Sequence, residues 1–245
     1  MAIYVITHKK FTPIVVDDFY KNLLVGVDNG NKGEKSYLRD NSGDNISKKN
    51  SSFCELTGMY WLWKNSNASI IGIEHYRRYF LKKLFPRKFL SEKDVSNYLK
   101  YYDIILPKDS NLDGLTMKEQ FKKYHSEEIW KKCESIIVNE FPEYLEDWKW
   151  LEDQKKGYFY NMLICNKNLY DEYCEWLFSI LFELENITDL STMDAYNQRM
   201  YGFVSERLLN VWVHHNNLKI KTLPVELFDG RSILKKGLDK IKSKL

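Results

Sequence analysis

An α/β fold, a mostly parallel central sheet flanked by helices in one domain, is what this sequence predicts. Three observations point to it. Short β-branched runs alternate with longer segments whose apolar residues recur every three to four positions. Two of these runs end in charged and hydrogen-bonding residues, as strands do where an α/β sheet offers its carboxyl edge to a ligand. No repeat, low-complexity linker or break in composition divides the 245 residues.

The elements follow in order. Ile3 to Thr7 is a buried strand with Thr7, His8, Lys9 and Lys10 at its carboxyl end. Residues 29–50 are a long polar loop, of a length that compact domains keep for a function or leave disordered. CELTGMYWLWKN, residues 54–65, is a helix packed by Leu56, Met59, Tyr60 and Trp63. Ile70 to Ile73 is the next strand. Ser91-Glu92-Lys93-Asp94 opens a short helix with a capping-box pattern. Tyr101 to Pro107 is a strand stopped by proline. Residues 116–139 read as one helix, and Tyr158 to Cys165 as a strand. Residues 168–185 carry the strongest helical pattern, with Leu169, Tyr173, Trp176, Leu177, Ile180, Leu181 and Leu184 on one stripe. A helix over 197–215 and a strand over Leu218 to Val225 complete the pass.

Hydrophobic and charged shares of 44% and 29% exclude global disorder. The aromatic share, 15%, suits either a wide binding surface or an aromatic-rich core. Cys54, Cys133, Cys165 and Cys174 form no CxxC, so free thiols in a reducing compartment are expected. The start lacks a signal-peptide pattern and no apolar run nears the ~20 residues that span a bilayer. The expected location is cytoplasmic. Residues 231–245 hold six basic groups and one acid, a net of +5 that leaves −2 for the rest. This stretch reads as a basic amphipathic helix suited to an anionic membrane face, or as a solvated terminal helix. A slightly acidic body disfavours nucleic acid.

The chain lacks GxGxxG, GxxxxGK[ST], HExxH, GxSxG and DxD. His214-His215 has no third ligand at metal spacing and reads as a helix-terminal pair. Chemistry concentrates instead in IIGIEHYRRYF, Ile70 to Phe80. Paired guanidiniums repel unless an anion or carboxylates lie between them, and their forks match phosphate oxygens. If the strand continues, Glu74, Tyr76 and Arg78 share one face and His75, Arg77 and Tyr79 the other. One arginine then reaches a ligand while the other braces the fold through a buried carboxylate; an arginine–carboxylate network at a strand end is the structural alternative. Asp40, Asp44, Asn45 and Asn50 around Gly43 are turn formers or contacts to a base or ribose. Glu55 can orient that loop or a ligand. Asn161-Met162 puts an amide in an apolar strand, where it needs a partner or a ligand. Glu206, near a helix start, is stabilised as the anion or is a simple first-turn acid.

YVITHKK, GDNISKKNSSFCELTGMYWLWKN, HYRRYF, GYFYNMLICNK and GFVSERLLNVW, in this order across residues 2–225, closely resemble a bacterial family. That family was first catalogued as a domain of unknown function in capsular, exopolysaccharide and O-antigen gene clusters. The resemblance implies a GT-A-like glycosyltransferase domain over residues 1–230, followed by the basic tail of residues 231–245. Characterised relatives include inverting galactofuranosyltransferases that use UDP-galactofuranose; the implied acceptor is a lipid-linked oligosaccharide at the inner membrane face. By the same analogy Thr7, His8, Lys9, Asp40, Asp44 and Asn45 lie by the nucleotide, and His75 and Arg77 by the diphosphate.

Glycosyl transfer needs the departing diphosphate neutralised and the acceptor hydroxyl deprotonated. The expected diphosphate ligands are Arg77 and His75, with Tyr76, Arg78 or Lys9 beside them. The expected base is Glu206, with Asp153 and Asp194 as substitutes. A Glu74/His75 site for Mn²⁺ or Mg²⁺ is the alternative to neutralisation by guanidiniums alone. The rival from another class is a non-catalytic nucleotide-sugar or glycan-binding subunit of a polysaccharide assembly complex, which keeps the aromatic surface but does not need Glu206.

Overall fold

The structure, a computed structural model, describes residues 1–228. The basic stretch of residues 231–245, with its expected helix and membrane contact, lies outside them. β1 (Ala2–Thr7) is buried at every residue because it is the heart of the sheet, paired in parallel with β2 (Tyr20–Leu24) and β4 (Ile70–His75). A strand covered on both faces has no solvent side to be polar on, so AIYVIT shows no alternation. β3 (Leu38–Arg39) extends the parallel run beyond β2.

The chain between β3 and β4 forms two helices in sequence, α1 (Asn50–Phe53) and α2 (Leu56–Asn65). They are separated at Cys54, whose φ of 51° is a left-handed backbone that non-glycine residues seldom adopt. After β4 the chain reverses. Tyr76 and Arg77 form a tight turn, and β5 (Arg78–Lys83) returns antiparallel, His75 opposite Arg78. HYRRYF is therefore a hairpin and not a continuing strand, which undoes the expected alternation of faces. β6 (Lys88–Phe89) and α3 (Glu92–Tyr98) follow, the latter with the expected capping box at Ser91 and Asp94.

β7 (Ile104–Pro107) and β8 (Ser110–Asn111) precede α4 (Met117–Tyr124) and α5 (Glu127–Glu140). These two divide the segment expected as one helix. The break falls at His125 and Ser126, where Ser126 caps α5 through its hydroxyl. α6 (Leu145–Glu152), β9 (Lys156–Gly157) and β10 (Ile164–Asn166) come next. The strand expected over 158–165 is thus shortened to its end. Tyr160 and Asn161, with φ of 76° and 50°, take the chain out of extended backbone before β10 begins. α7 (Lys167–Asn186), α8 (Met200–His215), β11 (Ile220–Leu223) and β12 (Val225–Leu227) finish the described chain.

The sheet runs β11-β7-β10-β4-β1-β2-β3, parallel except for β10, with β5 continuing from β4 and pairing β6 and β12. It is the mostly parallel α/β sandwich expected. Its two faces bury separate cores. The larger holds the helices, including Leu56, Phe121, Trp130, Tyr170, Leu177 and Leu208. The smaller, on the opposite face, holds Ile3, Val5, Tyr20, Tyr79 and Val95. Gly72 sits where β4 presses on β1, and a Cβ there would lie 2.7 Å from Ile3 Cγ1. No helix among the described residues is long and apolar enough to cross a membrane.

Candidate active site

The carboxyl ends of β1 and β4 open into a cleft of two adjoining cavities, ≈ 400 and ≈ 470 Å³. Glu55, His75, Arg78 and Arg199 line both and form the passage between them. The first cavity continues over Thr7, His8, Cys54, Tyr76 and Arg77. The second continues under His125, Phe159, Tyr160, Tyr196 and Phe203 to Glu206 and Arg207.

The hairpin turn brings Arg77 and Arg78 to the same cleft. Arg77 lies 5.0 Å over the Tyr76 ring and Arg78 4.7 Å over the Tyr160 ring. Arg199 reaches in from the 3₁₀ turn before α8 and donates from Nε to Cys54 Sγ at 3.3 Å. The arginine salt bridges among the described residues are Arg87–Glu226 and Arg207–Glu206; Arg77, Arg78 and Arg199 have none. Clasping of either hairpin arginine by an internal acid is therefore absent from these residues. No sequence pattern marks Arg199, because its approach depends on how α8 docks against α1.

His8 and Lys9 rim the first cavity. His8 meets the Tyr76 ring edge-on at 5.4 Å and Lys9 Nζ lies 5.6 Å from its centroid. The Thr7 side chain is turned onto the strand end, where Oγ1 donates to the Lys9 carbonyl at 2.6 Å. His75 Nε2 lies 2.6 Å from the Tyr160 carbonyl, which can only accept, so Nε2 carries the proton. Burial holds the imidazole below its usual range. With Nε2 committed to that carbonyl, His75 anchors the Tyr160 turn.

That turn is held from the other side by α8. Glu206 Oε1 accepts from the Tyr160 amide at 2.8 Å, and Oε2 from Arg207 Nη1 at 3.0 Å. Arg207 is 2% exposed, sandwiched 5.1 and 5.3 Å from the Phe121 and Phe159 rings, with Nη2 donating to Gln120 at 2.6 Å. Burial raises Glu206, while Arg207 opposes that shift. Both carboxylate oxygens thus serve internal partners.

Asn161 is fully buried and has the partners its position demands. Nδ2 donates to Glu55 Oε1 at 2.7 Å and to the Gly202 carbonyl at 3.2 Å, and Oδ1 accepts from Ser205 at 3.0 Å. Met162, 0% exposed, belongs to the smaller core and lines neither cavity. The acids of the polar loop also lie off the cleft. Asp40 is completely buried and accepts from the Gly26 and Val27 amides and the Ser47 and Thr57 hydroxyls, tying the loop to α2. Asp44 accepts from Tyr60, and Asn45 closes a turn on Gly43 and Ser47. Internal hydrogen bonds engage all three, and those of Asn45 close a turn. Of this constellation Asn50 does reach the first cavity, with Ser51 beside it.

Asp153 is exposed after α6, and the Asp194 carboxylate is taken up by Tyr196 and Asn197, so neither lines the cleft. Glu74 is fully buried on the sheet face opposite His75. It accepts from the Phe80 amide at 2.8 Å, its other oxygen has no partner among the described residues, and burial raises its pKa well above the usual range. Adjacent strand residues point to opposite faces, so the Glu74/His75 pair does not fit a metal ion. No three His, Cys, Asp or Glu among the described residues gather in a metal-binding group.

The family model described as a domain of unknown function, DUF4422, matches residues 2–217. The chain belongs to this family. One solved structure similar to this DUF4422 chain is titled the apo structure of WbbM, a bifunctional glycosyltransferase. The two share 29% identity with a TM-score of 0.84 over 93% of this chain. The DUF4422 chain spans 45% of that larger one. No curated protein matches.

Proposed function

We propose that this DUF4422 protein is a glycosyltransferase whose first cavity takes the nucleotide diphosphate of a sugar donor and whose second takes a saccharide acceptor. One observation carries the reading: three guanidiniums without salt bridges among the described residues, Arg77, Arg78 and Arg199, converge on one cleft at the carboxyl edge of a mostly parallel sheet. Unpaired arginines repel one another, and an anion with several oxygens relieves that cost. A diphosphate fits the need, and its negative charge grows as it departs. The WbbM likeness supports the same reaction class. The aromatic walls of the second cavity suit the apolar faces of a sugar ring.

The donor we propose is a UDP-hexose, with galactofuranose or galactose as the sugar and inversion at the anomeric carbon; the resemblance of the HYRRYF and GDNIS segments supports this choice. No step requires a carboxylate-bound metal, since Glu74 is turned away and guanidiniums face the diphosphate position. The acceptor we propose is a lipid-linked oligosaccharide, and the net +5 of residues 231–245 supports work beside anionic lipid.

Thermal-shift measurements with UDP, GDP, CMP and dTDP sugars test the reading. UDP-sugars are expected to raise the melting temperature, and transfer from them is expected to persist in EDTA. Stabilisation by none of the four classes contradicts it. Binding of UDP without turnover of any donor points to a binding subunit instead.

A further inference from the structure

Glu55 stands out once every carboxylate around the cleft is followed to its partners. It lines both cavities, whereas Glu206 lines the second alone. It precedes α2 in the capping position, yet its side chain makes no capping hydrogen bond; Ser91, Thr116 and Ser126 do cap their helices. Its carboxylate is thereby spared for the cleft.

The support behind it is built. Asn161 donates to one oxygen, Oε1, at 2.7 Å. The amide cannot be turned around, because Nδ2 also faces the Gly202 carbonyl and Oδ1 faces the Ser205 hydroxyl. The second oxygen, Oε2, makes no hydrogen bond among the described residues. The two backbone positions that set this geometry, Cys54 beside Glu55 and Asn161 itself, both have positive φ without being glycine. Such strain persists where surrounding structure enforces it, and it collects at working sites.

We propose that Glu55 is the catalytic base of the transfer, with Asn161 as its positioning residue; this rests on the glycosyltransferase reading. The acceptor hydroxyl gives its proton to Glu55 Oε2 as its oxygen bonds to the anomeric carbon. The bond from that carbon to the diphosphate oxygen breaks, and its electron pair leaves with the nucleotide, facing Arg77, Arg78 and Arg199. The base must reach the boundary between the two substrates, and Glu55 lies on it. Glu206, with both oxygens bonded inside the protein, holds the Tyr160 turn and balances Arg207. His75 competes poorly, since burial holds its basicity down.

The test uses the full chain, UDP-galactofuranose and other UDP-sugars as donors, and octyl glycosides of galactose, glucose and N-acetylglucosamine as acceptors. Glu55→Gln is expected to lower kcat by at least about 10²-fold while UDP affinity by calorimetry stays within about threefold. Glu55→Asp, the milder change should the first variant misfold, is expected to lower kcat about tenfold with the donor KM unchanged. Transfer by Glu55→Gln at the wild-type rate overturns the assignment alone. So does a parallel loss of UDP affinity in a folded Glu55→Gln variant, which makes the residue a binding group. No transfer by the wild-type protein from any donor overturns the glycosyltransferase reading as well.

Discussion

Arg199 and Asp40 show how differently two charged side chains can be employed, one in the cleft and one buried away from it. Arg199 faces the cavity with the Cys54 sulfur as its one side-chain hydrogen-bond partner among the described residues, so its charge is open to a ligand. Arg199→Ala is expected to lower kcat/KM for transfer by about 10²-fold, with Arg199→Lys recovering part of it, because a preorganised charge acts on the growing negative charge of the leaving group. Equal kinetics in steady-state assays would remove it from the site. Asp40, in contrast, spends its carboxylate on four internal donors. Asp40→Ala is expected to lower stability by about 1–3 kcal/mol in urea unfolding through unpaired donors. That HYRRYF carries guanidiniums out of the core at a strand end was legible from the sequence, and so was the need of Asn161 for a partner. The loop acids were not separable into turn former and ligand contact, since both uses call for the same side chains. Nor was Arg199 visible, because its site is completed by α1, far away in sequence.

Elements carry the next level of the account. The β4–β5 hairpin is what places two consecutive arginines in one cleft; a continuing strand would have split them between faces. Periodicity registered the β-branched run and the charge after it, but a two-residue turn without glycine or proline leaves little trace. The same holds for the break at Cys54 between α1 and α2 and for the left-handed pair Tyr160-Asn161. There tertiary contacts override local preference, and the overrides cluster around Glu55. β4 itself depends on close approach to β1. Gly72→Ala is expected to cost about 1–3 kcal/mol, since the added methyl meets Ile3 Cγ1 at 2.7 Å, with Ile3 Cα and Ile164 Cγ1 each at 3.3 Å. An unchanged unfolding midpoint would show that β1 and β4 yield to it. The long helical stripe of α7 was read with nearly its true bounds, because twenty residues of repeated burial outweigh local signals.

At the scale of the molecule, the sheet separates the face that carries the cleft from a face that only packs, and Glu74 lies on the packing side. In the folded protein burial holds its proton to a pH well above the usual carboxylate range, while the unfolded chain releases it near the ordinary value. The unfolded state then binds fewer protons, so this group makes stability fall as pH rises from the ordinary carboxylate range toward neutrality. Glu74→Gln, which keeps the acceptor for Phe80, is expected to melt higher than wild type by a margin that widens from pH 4 to pH 8; a constant margin would contradict the buried neutral acid. The α/β class and the order of most elements were legible because burial on both faces of a parallel sheet writes itself as apolar runs. The central claim remains that the guanidinium-lined cavity receives a nucleotide diphosphate. A crystal structure of the protein with UDP tests it most directly. The account predicts diphosphate oxygens within hydrogen-bond distance of Arg78 and Arg199 at the carboxyl ends of β1 and β4; UDP bound elsewhere, with these arginines facing solvent alone, would contradict it.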